Sequence, residues 1–143
     1  MKYNYLIITI LLFTSSHISA KDKSFGSATV LEITSIYDGD TFRANIEGFP
    51  VVIGESMSIR INGIDTPELQ GKCDKEKQLA MLAKQFTVER LRAAKSVVLK
   101  DIKRGKYFRL IADVYLDGVN LGDQLIKQGH AVSYIGKTKQ TWC

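Results

Sequence analysis

Between residues 57 and 95 the hydrophobic pattern changes period, and that change constrains the fold more than any other feature. Residues 57–64 (MSIRINGI) alternate apolar with polar side chains, the period of a half-buried strand. Over residues 74–95 the spacing becomes helical. Leu79, Leu82, Ala83, Phe86 and Ala93 fall on one face, while Lys75, Lys77, Gln85 and Glu89 point elsewhere. Arg90 interrupts that stripe, and its stem can pack while its charged head reaches water. Further β-rich runs occupy residues 29–36, 41–46, 50–53, 96–102 and 109–116, with a last short strand over 131–134. Turns are expected at Glu47-Gly48-Phe49 and Asp117-Gly118. Asn120 is a suitable N-cap for a second helix, with Asp123 in its first turn and Gly129 as its stop. About five strands and two helices in this order predict a β-rich α+β domain, a small closed barrel with helices at its edges.

The first twenty residues read as a processing signal. Lys2 supplies a positive start, residues 6–13 (LIITILLF) an apolar run, and SSHISA a small-residue site ending at Ala20. The apolar run is short of the roughly 20 residues a membrane span needs. We therefore expect an exported chain, periplasmic or secreted, with one domain over residues 21–143 and no membrane attachment in the mature form. Losing Lys2 and His17 lowers the formal charge from +5 to +4 and leaves His130 as the only histidine. That excludes a two-imidazole mechanism in a monomer and leaves too few nitrogen and sulfur ligands for a closed zinc site. Chemistry must come from carboxylates, arginines, hydroxyls or a hard cation. Cys73 and Cys143 both lie in the mature part, and export favours a disulfide between them over two free thiols.

Three segments are candidates for that chemistry: Asp38-Gly39-Asp40-Thr41 between two strands, Arg60 with Asp65-Thr66-Pro67-Glu68, and Arg104-Gly105-Lys106-Tyr107-Phe108-Arg109. Singly, each has a plain explanation as a turn, a strand-to-helix boundary or a solvated basic loop. Together they offer more. Asp40, Asp65 and the Thr66 carbonyl are oxygen donors suited to Ca²⁺. Arg60 and Arg109 are suited to bidentate contact with phosphate, with Arg104 a lesser alternative to Arg109. Glu68 could serve as a base for water.

The set DGDT at residues 38–41, R-x4-DTPE at 60–68 and KY-x-R at 106–109 resembles the staphylococcal nuclease-like (thermonuclease) family over about residues 31–134. The resemblance implies a five-stranded OB-fold barrel and a calcium-dependent nuclease. Such an enzyme cleaves DNA and RNA with little sequence specificity and leaves 3′-phosphate ends. Position by position it implies Asp40, Asp65 and Thr66 as ligands of one Ca²⁺, Glu68 as general base, Arg60 and Arg109 as the phosphate-binding pair, and Lys106 and Tyr107 as substrate contacts. Phe108 stands where the family has glycine, which puts the angles of that turn, and so the aim of Arg109, in question. A basic chain with Tyr107 available for stacking favours single-stranded nucleic acid, and no element reads a groove. We expect a monomer. The alternative reading is a noncatalytic OB-fold module that binds single strands or another anionic polymer.

Overall fold

The computed structural model describes residues 23–143, so the expected signal segment 1–20 lies outside the described residues. The elements in order are β1 (Ala28–Ile36), β2 (Thr41–Ile46), α1 (Val51–Gly54), β3 (Met57–Ile61), β4 (Ile64–Asp65), α2 (Asp74–Ala93), β5 (Val97–Arg104), β6 (Leu110–Leu116), β7 (Val119–Asn120), α3 (Leu121–Lys127) and β8 (Val132–Ser133). β2 lies between β1 and β3, β1 pairs with β5, and β5 with β6, all antiparallel. A parallel pairing of β3 with β6 closes the circle, giving the expected five-stranded OB-fold barrel.

Strand alternation builds the barrel interior. Phe42 and Ala44 of β2, Ile59 and Ile61 of β3, Leu99 and Ile102 of β5, and Ala112 and Val114 of β6 are buried. Each large aliphatic or aromatic member contributes about 1.5–3 kcal/mol by leaving water. Leu91 of α2 and Leu121 and Leu125 of α3 extend the same cluster.

The structure corrects three local expectations. Residues 50–53 are not a strand: Ile53 and Gly54 donate backbone bonds to the Pro50 carbonyl, and Val51–Gly54 form one helical turn. The β-branched run suggests a strand, but Pro50, with φ −54°, favours a turn, and a Cβ at Gly54 would lie 2.7 Å from Phe49 Cβ. The single strand expected over 57–64 breaks at Asn62-Gly63, where Gly63 has φ +75°, and Asp65 belongs to a separate short strand. On α2 the buried residues are Glu76, Ala80, Ala83, Thr87 and Leu91, while Leu82 faces solvent. Arg90 is exposed, its guanidinium over the Phe86 ring at 5.0 Å. β7 and α3 share the Asn120 boundary, so that α3 starts on a strand end; the Asn120 side chain accepts from Asp123 N–H as expected.

The expected Cys73–Cys143 disulfide is present, joining residues 70 positions apart and tying the C-terminus to the start of α2. Among the described residues no helix is long and apolar enough to cross a membrane.

Candidate active site

Asp40 ends the turn before β2, and Arg60 lies on β3 directly opposite Thr41. The turn is fixed locally: Asp40 N–H donates to the Asp38 carboxylate at 3.1 Å, and the Tyr37 N–H donates to the Thr41 carbonyl at 2.9 Å. It is also fixed from behind. Thr87 of α2, fully buried, donates its hydroxyl to the Gly39 carbonyl at 2.6 Å. Gly39 tolerates no side chain, since an added Cβ would lie 2.9 Å from the Ala83 Cβ and 3.0 Å from the Thr66 methyl. Thr87→Val should therefore destabilise the protein by about 1–3 kcal/mol by stranding the Gly39 carbonyl, read as a lower urea midpoint with an unchanged slope.

Arg60 joins the two motifs. One terminal nitrogen donates to Asp40 Oδ1 at 2.5 Å; the other donates to Asp65 Oδ1 at 3.1 Å and to the Ile64 carbonyl at 3.2 Å. Both carboxylates are buried, and Asp40 Oδ2 also accepts the Thr66 N–H. Three of the five guanidinium N–H groups are thus committed, which leaves two for another ligand. The break at Asn62-Gly63 is what makes this possible, because it folds Ile64–Asp65 back beside Arg60, with β4 held against β8.

Arg60 alone does not balance the carboxylates of the site, and Lys139 supplies a second positive charge at Asp65 and Glu68. Burial pushes the Asp38 carboxyl up to about 6, and the charge of neighbouring Asp40 adds to the effect. The buried Asp40 and Asp65 carboxylates, with Asp38 beside them, are oxygen ligands of the kind a hard divalent cation takes, although Arg60 already bonds to one oxygen of each. Asp40, Asp65 and Thr66 are the residues present that would hold it, with Glu68 at the rim.

A cleft of about 540 Å³ opens above these groups, lined by Asp38, Arg60, Glu68, Arg109, Tyr134 and Lys139 among others. Arg109 enters it from the start of β6. Its Nε is buried with no hydrogen-bond partner, an orphaned donor that an anionic ligand would satisfy. Of the residues expected at the site, Arg60, Glu68 and Arg109 line the cleft, and Asp40, Asp65 and Thr66 lie in the network beneath it. Lys106 and Tyr107 do not line it. They sit on the exposed β5–β6 turn, Tyr107 being 91% exposed. That turn has Tyr107 at φ +57° and Phe108 at φ +55°, closed by a 2.7 Å bond from Gly105 N–H to the Arg109 carbonyl. Phe108 thus adopts the left-handed conformation a glycine adopts without cost, under the Arg104 guanidinium at 5.0 Å. The His130 ring packs against Phe86 at 5.1 Å, and His130 does not line the cleft.

Two residues of this region are not legible from sequence as site residues. Lys139 places its ammonium 2.5 Å from Glu68 Oε1 and 3.1 Å from Asp65 Oδ1. Its hydrogen bond is the main reason the Glu68 carboxyl lies below its usual range. Burial works against the Lys139 charge, but the bonds to Glu68 and Asp65 outweigh it and hold the ammonium above its usual range. Glu76, buried in the first turn of α2, accepts the Lys72 N–H at 2.9 Å and the Glu68 N–H at 3.4 Å, and so shapes the loop that presents Glu68. The expected disulfide is the available signal for Lys139, since a tail anchored at Cys73 must run close to Glu68.

Comparison with known proteins agrees with this geometry. The family model described as staphylococcal nuclease homologue matches residues 58–141. The chain is 35% identical over 89 residues to "Probable endonuclease C19F8.04c" of Schizosaccharomyces pombe (strain 972 / ATCC 24843), covering 57% of this chain and 38% of that one. It is 31% identical over 83 residues to "Probable staphylococcal-like nuclease CAN1" of Oryza sativa subsp. japonica, covering 58% of this chain and 23% of that one. An uncharacterised protein of Bacillus anthracis is 29% identical over 126 residues, covering 85% of this chain and 56% of that one. The matches span well under two thirds of those relatives' own length. The family match covers more than half of the chain and contains Arg60, Asp65, Glu68 and Arg109, and on it the chain belongs to the staphylococcal nuclease homologue family.

Proposed function

We propose that this protein is an exported nuclease that hydrolyses phosphodiester bonds of DNA and RNA with little sequence specificity, uses one Ca²⁺ and leaves 3′-phosphate ends. The observation that carries the reading is the juxtaposition of Arg60, knotted to Asp40 and Asp65, with Glu68 and Arg109 on one cleft. A phosphodiester bound there meets donors from two sides. Arg60 and Arg109, both lining the cleft, would donate to phosphate oxygens whose charge grows in the transition state. Glu68, ionised at neutral pH and more than half exposed, can take a proton from water at the cleft mouth. Bound calcium would supply charge neutralisation and polarisation of the phosphate. Tyr107, on its exposed turn, is placed to stack on an unpaired base outside the cleft, which favours single strands. The working form is a monomer.

The test is incubation of the purified chain with single-stranded DNA in Ca²⁺ and in chelator. Cleavage in Ca²⁺ alone, with ends that become extendable only after phosphatase treatment, is the expected result. Binding without cleavage under every divalent ion would replace the enzyme with a noncatalytic OB-fold module.

A further inference from the structure

The C-terminal segment beyond β8 is pinned at both ends. At its start, Val132–Ser133 pairs with Ile64–Asp65, and Tyr134 N–H donates to the Gly63 carbonyl at 2.8 Å. At its end, Cys143 is bonded to Cys73, the N-cap residue of α2. Between these anchors Lys139 reaches into the cleft and bridges Glu68 and Asp65. We propose that Lys139 is a tethered competitor of the divalent cation, and that the Cys73–Cys143 bridge sets its strength by holding the ammonium over Asp65. The proposal rests on the calcium reading of Asp40 and Asp65 given above.

Occupancy and charge both set the two cations against each other. The ammonium uses an oxygen of Asp65, one of the two buried carboxylates that would receive the divalent ion. A divalent ion in contact with that carboxylate would lie within a few ångströms of the Lys139 charge, a like-charge contact in a partly dry cleft. A cation that takes Asp65 is therefore bound more tightly when Lys139 swings away. The cost of that movement is set by how strongly the ends of the segment confine it, as an intramolecular ligand competes at a concentration fixed by its tether. The disulfide fixes the nearer end, only four residues from Lys139. Glu76 connects the same bridge to the base: it contacts Cys143 Sγ at 3.7 Å and accepts the Glu68 N–H, so the anchor and the loop bearing Glu68 are one packed unit.

The experiment measures calcium binding by isothermal titration calorimetry, without substrate, for the wild type, Lys139→Gln, the double variant Cys73→Ser/Cys143→Ser, and all three changes together. Lys139→Gln should bind calcium about tenfold more tightly. The double serine variant should shift in the same direction by less, and should add nothing once Lys139 is gone. Asp65→Asn serves as the reference that loses binding. Calcium binding that is unchanged or weaker in Lys139→Gln overturns the proposal and leaves the calcium reading intact. Binding absent from every variant, or unaffected by Asp65→Asn, overturns the calcium reading and this proposal with it. Should the double serine variant lose stability, Lys139→Gln still decides, because it keeps the bridge.

Discussion

Replacing Arg60 with Gln should lower folding stability by about 3 kcal/mol in chelator, besides removing most activity. Its guanidinium is the partner of two carboxylates whose side chains are only 3% and 2% exposed. Removing one member of a buried ion pair leaves uncompensated charge, which costs about 3–5 kcal/mol. We take the low end because Thr66 N–H and the Thr41 hydroxyl still donate to Asp40. Calcium should narrow the deficit, since a ligand that binds the folded state alone adds stability by mass action. The checks are urea unfolding in chelator and in millimolar Ca²⁺, beside cleavage rates on single-stranded DNA. Arg60→Lys separates the two roles. A lysine restores a positive charge but cannot reach Asp40 with one arm and Asp65 with another, so part of the stability should return and little of the activity. A variant as stable as wild type without calcium would mean that Arg60 serves substrate alone.

That double role marks the boundary of what the sequence makes legible. The change of period at Asp74 announces α2, and the alternating runs announce four of the five barrel strands within a residue or two, because local propensity and burial agree there. Where they conflict, the reading fails. Val51-Val52-Ile53 is β-branched, but the chain must turn after Pro50, and tertiary packing decides. The helical stripe is displaced around α2: Leu82 has the right chemistry for the core, yet it faces solvent while small Ala80 and Ala83 are buried, Ala83 so close to Gly39 of the Asp38–Asp40 turn that a larger side chain would not fit there. The motif residues are legible by type, since carboxylates, arginines and a base are chemically distinctive. Their contacts are not. Nothing local relates Arg60 to Asp40, twenty residues away, or Lys139 to Glu68, 71 residues away. Lys106 and Tyr107 mark the converse case: a motif places them at the site, while the left-handed turn carries them to its outer edge.

Glu68→Gln is expected to reduce the cleavage rate by about 10²–10⁴-fold, the usual range for a general base, with little change in nucleic-acid affinity or stability. The side chain of Glu68 is 58% exposed and bonds to Lys139, which is itself accessible, so an isosteric amide removes no buried contact. The role is testable apart from charge. Glu68→Asp keeps a carboxylate but draws it back by one methylene, and should recover only part of the rate, because proton abstraction depends on reach. If Glu68 instead mattered only through its bond to Lys139, Glu68→Gln would change the calcium requirement and leave the rate at saturating calcium untouched. A rate at saturating calcium close to wild type would therefore remove Glu68 from the proton transfer and leave that step to solvent. A rate lower by two orders of magnitude or more, with substrate binding intact, assigns the transfer to its carboxylate.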